Sequence, residues 1–85
     1  MENNEYLRFF KMAGIAPREG NIICSLLTEP TLDKLIQMGL DGKAVKPVLR
    51  EAATMPDGIT DKNVNTILKN PGLMLSIMSV YYQQI

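Results

Sequence analysis

"LDKLIQMGL", residues 32–40, places Leu32, Leu35 and Ile36 three and four residues apart and closes on a glycine followed by an aliphatic residue. That spacing lays the apolar side chains along one stripe of an α-helix, and Gly39 stands where a helix ends in a left-handed residue. Two other stretches share the outline, "YLRFFKMAGI" at residues 6–15 and "VNTILKNPGL" at residues 64–73, with Gly14 and Gly72 in the closing positions. Each is followed by another helix-like segment. The pattern predicts helices over about residues 3–13, 17–28, 31–38, 43–54, 61–69 and 72–84, which would pair as three helical hairpins.

Pro17, Pro30, Pro47, Pro56 and Pro71 fall in first turns or connections, where a fixed φ and a missing N–H are tolerated. No segment alternates as a strand would. The expected fold is therefore all-α, a compact bundle of five to six short helices in a single domain spanning residues 1–85. Its expected core is Phe9, Phe10, Ile22, Ile23, Leu26, Leu27, Leu35, Ile36, Val45, Val48, Leu49, Val64, Ile67 and Leu68. Thr60 before "DKN" is the expected N-cap of the fifth helix, and Cys24 is expected near the core beside Ile22, Ile23 and Leu26.

Composition narrows the class of function. Apolar residues make up 46% of the 85 and charged ones 21%, which suits a packed core rather than disorder. Nine basic and nine acidic residues leave zero net charge, so the broad positive field that drives non-specific binding to nucleic acid or anionic membrane is missing. Cys24 is the lone cysteine. A reducing, cytoplasmic setting is the simplest expectation, and "MENNEYLRFF" carries acids where a signal peptide needs bases. Residues 70–85 form the longest uncharged run, 16 residues including Pro71 and Gly72. A spanning helix needs about 20 apolar residues, so no membrane partner is expected.

The side chains offer little for catalysis. Histidine is absent, which removes the commonest general base near neutral pH and the commonest nitrogen ligand for zinc. Glu2 with Glu5 and Asp57 with Asp61 are as readily helix caps and solvated faces as an acid–base pair. No enzymatic activity, cofactor or metal site is expected.

Two motif readings concern residues 31–54. "TLDKLIQMGLDGKAVKPVLR" has the outline of a helix-turn-helix, with Lys43, Lys46 and Arg50 projecting from the second helix toward phosphates or base edges. Against a DNA-binding regulator stand Leu35 where a small residue is needed, Pro47 inside the reading helix, and Asp33, Asp41 and Glu51 diluting the charge. Nucleic acid is thus the second choice of partner. The turn Met38-Gly39-Leu40 also resembles the first loop of ubiquitin-associated domains, compact three-helix modules, with Leu49 near an expected core position. The longer link at residues 53–60 and the proline at 47 depart from that pattern.

The C-terminal stretch "LMLSIMSVYYQQI", residues 73–85, carries the main functional expectation. On a helix, Ser76, Ser79 and Gln83 form one narrow polar stripe and apolar residues cover the rest. Such a helix belongs either in the middle of the bundle or between the bundle and a partner. The second arrangement is favoured, because a chain end tends toward the surface. Met74, Met78, Tyr81, Tyr82 and Ile85 are the candidate interface residues, with the tyrosines as anchors. The expected function is a small interaction module acting by binding, as adaptor, inhibitor or assembly subunit, through a protein partner or through homo-oligomers. A compact chain of this kind suits a phage- or plasmid-encoded regulator.

Overall fold

The computed structural model describes residues 3–39 and 44–83. Six helices follow in order: α1 (Asn3–Met12), α2 (Pro17–Leu26), α3 (Glu29–Gly39), α4 (Val45–Thr54), α5 (Asp61–Leu68) and α6 (Pro71–Gln83). Among the described residues there is no strand, and the fold is an all-α bundle with a Cα radius of gyration of 11.8 Å.

Local chemistry accounts for the helix ends. Gly14 has φ +86°, its N–H donates to Lys11 O at 3.0 Å, and the N–H of Ile15 reaches back to Phe10 O at 2.8 Å. These are the two bonds of a Schellman motif, closed by the burial of Ile15. Pro17 then opens α2 at its first position. Thr60 caps α5 as expected, its hydroxyl accepting from Asn63 N at 3.1 Å. Asn70 does the same for α6, where its side-chain oxygen accepts from Leu73 N at 3.1 Å just before Pro71.

Gly72 is a correction to the sequence reading. It lies in the first turn of α6 rather than at the end of α5, which closes on Lys69 in the right-handed region. Asn70-Pro71 is a stronger start signal than Gly72 is a stop signal. Gly39 is the last residue of α3, and the turn that follows, residues 40–43, lies outside the described residues.

α1 and α2 pack along each other as an antiparallel hairpin. Phe10 faces Gly20, and Tyr6 lies within electrostatic reach of Cys24. Gly20 is the point of close approach, since a β-carbon there would stand 2.7 Å from Leu7 Cδ2 and 3.5 Å from Phe10 Cδ2. The hairpin is tied to the rest by buried Tyr6, whose hydroxyl donates to Asp33 Oδ1 at 2.7 Å. Burial, reinforced by that bond, pushes the Tyr6 phenol well above its ordinary range. The other four helices interleave: α4 packs on α3, α5 and α6, and α5 on α3, α4 and α6. The pairing into separate hairpins therefore describes α1–α2 and does not describe the remainder.

Phe10, Ile23, Leu27, Leu35, Ile36, Val45, Val48, Leu49, Val64, Ile67 and Leu68 are buried as the periodicity predicts. Phe9, Ile22 and Leu26 are not; they are 37%, 53% and 51% exposed. A helix at the edge of the bundle buries one stripe, and Tyr6, Phe10, Gly20, Ile23 and Leu27 occupy it. Their sequence neighbours are turned about 100° away. Tyr6, Ile15, Leu32, Ala44 and Ala52 join the core instead.

Candidate protein-docking surface

α4, and not the C-terminal helix, holds the central position. Val45, Pro47, Val48, Leu49 and Ala52 are all buried, and Pro47 is the third residue of the helix. A first-turn N–H has no intrahelical acceptor, so the proline removes no hydrogen bond there and its ring fills the core.

α6 is displaced to the surface. It is 13 residues long, carries no charged side chain, and has no buried residue. Leu73, Met74 and Ile77 pack on the core against α4 and α5. On the outer side Leu75 is 73% exposed, Val80 55% and Tyr82 42%, and Ser76, Ser79 and Gln83 stand exposed among them. The polar stripe does face solvent, but it is too narrow to cover the outward half of the helix. Apolar surface remains in water on both of its flanks.

The predicted interface residues distribute unevenly over this helix. Met74 turns inward, Met78 is half-buried, Tyr81 is half-buried and Tyr82 is exposed; Ile85 lies outside the described residues. The rings of Tyr81 and Tyr82 meet edge to face, perpendicular with centroids 5.0 Å apart. Arg50 of α4 places its guanidinium carbon 5.5 Å from the Tyr81 ring centroid, a cation–π contact worth about 0.5–1 kcal/mol at an exposed site. Arg50, Glu51 and Thr54 face Ser76, Val80 and Tyr81 across an open groove of about 300 Å³. Leu75 and Val80, absent from the predicted set, are its most exposed apolar side chains on α6. A helix apolar on nearly every side does not announce in sequence which side it buries.

A second open depression of about 290 Å³ lies between α2 and α4, with Ile22, Ile23, Leu49 and Ile59 among its walls. Lys46 and Arg50, two of the three residues considered for DNA contact, line its rim together; Lys43 lies outside the described residues. Lys46 is half-buried and Arg50 is drawn over Tyr81. With Val45, Pro47, Val48, Leu49 and Ala52 buried, these two cations occupy a strip between α2 and α6.

The strongest titration effects lie away from this surface. Burial pushes the Cys24 thiol up, while Asp61, which accepts from Thr28 N at 2.9 Å, is held below the usual carboxylate range mainly by that bond. No helix among the described residues is long and apolar enough to cross a membrane. Comparison of the chain with protein-family models, with curated proteins and with solved structures finds no match.

Proposed function

We propose that this protein is a small, non-catalytic interaction module, an adaptor, inhibitor or assembly subunit, that docks on a protein partner through the outward face of α6. The observation that carries the reading is the exposure of Leu75, Val80 and Tyr82 on a helix with no charged residue. Scattered single apolar residues are normal on a surface, but Leu75 and Tyr82 on one flank of the polar stripe and Val80 on the other leave this uncharged helix with apolar exposure of the kind that partners cover. Tyr82 is suited to anchor the contact, because a tyrosine combines large ring area with a polar hydroxyl that tolerates water. The absence of histidine and of any tight carboxylate pair in the sequence is in keeping with action by binding.

The test is capture from a lysate of the native host, with the tagged chain and a Leu75→Glu, Tyr82→Glu variant side by side. Both positions are exposed, so the variant is expected to keep the wild-type helical circular dichroism and melting transition. Loss of a stoichiometric protein from the variant's eluate supports the assignment. Identical captured sets from two folded baits would refute docking through this face.

A further inference from the structure

The depression between α2 and α4 combines an apolar floor with a cationic rim. Ile22, Ile23, Leu49, Ala53 and Ile59 form the floor, and Lys46 and Arg50 stand at its edge. We infer that this depression is a binding site for a medium-chain carboxylate, with the apolar tail on the floor and the single negative charge between Lys46 and Arg50.

Charge selects the head of the ligand. Lys46 and Arg50 are four residues apart on α4, so their stems leave the helix on one side within about 6 Å of each other, and one carboxylate can meet both. A β-carbon on Gly14 would stand 3.8 Å from Lys46 Nζ, which places the ammonium over the α1–α2 turn, at the Ile15 end of the depression. Neither cation has a carboxylate partner among the described residues; the contact of Arg50 is the Tyr81 ring. Glu19 is the one acid in the lining, and it is exposed on α2. Two cations against one carboxylate leave the lining one positive charge in excess, which a monoanion matches. An uncharged occupant, a second α6 included, would cover both cations without supplying a counter-charge.

Shape and size select the tail. A concave apolar floor offers a phosphate backbone nothing to fill it with, so nucleic acid would satisfy the rim alone. The depression measures about 290 Å³, room for on the order of ten non-hydrogen atoms at the roughly 30 Å³ that a water takes in the liquid. A chain of about eight to ten carbons has that size. The depression is open, so the tail stays partly wet and binding is weak. At the efficiency of ordinary ligands, about twelve non-hydrogen atoms give a dissociation constant on the order of 1 mM.

Sodium decanoate titrated into the full chain to about 10 mM, with the isoleucine methyl groups followed by NMR, reads this directly. The Ile22, Ile23 and Ile59 methyls are expected to shift along one saturable curve, while Ile77, in the groove between α4 and α6, moves least. Decyltrimethylammonium has the same tail and the opposite charge, and is expected to bind at least about fivefold more weakly. The double variant Lys46→Gln, Arg50→Gln should lower decanoate affinity about fivefold. Ile22→Glu, at a side chain 53% exposed, should abolish saturation with an unchanged melting transition. In the wild type, the absence of any saturable shift, equal affinity for the two head groups, or larger shifts at Ile77 than at Ile22 overturns the inference. The docking face of α6 is judged separately, since Leu75 and Tyr82 line no part of this depression.

Discussion

Asn63 offers the sharpest test of how this small bundle holds its shape. It is buried in the first turn of α5, and its side-chain nitrogen donates to Pro56 O at 2.9 Å and to Gly58 O at 2.7 Å. Those carbonyls belong to the α4–α5 connection, where the Met55–Gly58 turn is closed by Gly58 N donating to Met55 O at 3.0 Å. Asp57 and Gly58 both have positive φ there, 73° and 70°. A non-glycine residue in that region is strained, so the turn needs outside support, and Asn63 supplies it.

Replacing Asn63 with alanine removes two hydrogen bonds, each worth about 0.5–1.5 kcal/mol net. Pro56 is exposed and Gly58 half-exposed, so water can take up part of the loss, and the expected cost is about 1–2 kcal/mol. Asn63→Asp keeps the shape but sets a carboxylate against two carbonyl oxygens. At neutral pH it is expected to cost at least about 1 kcal/mol more than alanine. Repulsion by those carbonyls raises the folded-state pKa of the new carboxyl above its unfolded value of about 3.9. The variant's extra penalty is therefore absent below about pH 4 and grows as pH rises through the folded pKa. Urea unfolding followed by circular dichroism at pH 3.5 and pH 7 measures all of this. An alanine variant within ~0.5 kcal/mol of wild type, or an aspartate variant no worse than alanine at pH 7, would refute the support assigned to Asn63.

Gly14→Ala is expected to lower stability by about 1 kcal/mol or more, because φ +86° is disfavoured for a residue with a β-carbon; an unchanged urea midpoint contradicts the Schellman closure of α1. Cys24 is half-buried, packs on the core and has its thiol pushed up by burial. Alkylation by iodoacetamide at pH 8 should accordingly run at least tenfold slower in the native protein than in urea, and equal rates would place the thiol in solvent. Asp61, held below the usual carboxylate range chiefly by the Thr28 N–H, contributes stability that is present above the unfolded pKa of about 3.9 and is lost as pH falls through the lower folded value. Asp61→Asn should flatten the acid limb of the stability profile below about pH 4, and an unaltered limb would show that the bond to Thr28 carries no linkage.

Helix order and most helix ends were legible in the sequence because capping is local chemistry. Gly14 with Ile15, Pro17 and Thr60 each act within a few residues of themselves, and each is found in the role its type implies. Which of two neighbouring apolar residues turns inward is another matter. Ile22-Ile23 and Leu26-Leu27 read alike along the chain, yet Ile23 and Leu27 are buried while Ile22 and Leu26 are half in water. Gly20, whose missing side chain lets α1 lie against that stripe of α2, marks the buried side, but a lone glycine within a helical segment becomes readable as a packing site only once its partner helix is known. Buried polar partners were hidden for the same reason, since Tyr6 and Asp33, or Asn63 and Pro56, become neighbours through folding.

The exchange of roles between α4 and α6 carries this furthest. By composition α6 has the stronger claim to the interior: it has no charge, whereas α4 carries Lys46, Arg50 and Glu51. Yet a helix in the middle of a small bundle must also be narrow enough for its neighbours to approach it. Val45, Val48 and Ala52 give α4 slim inward stripes, with Pro47 and Leu49 filling the sides. The charged residues of α4 gather on the strip left between α2 and α6, where Arg50 lies over Tyr81. α6, with Leu, Met and Tyr on most sides, is too broad to be surrounded by five short helices. It lies on the bundle through Leu73, Met74 and Ile77 and leaves Leu75, Val80 and Tyr82 outside. The apolar surplus of α6 is therefore more than the core of this six-helix bundle absorbs, and that surplus is the physical reason to seek a partner on this face.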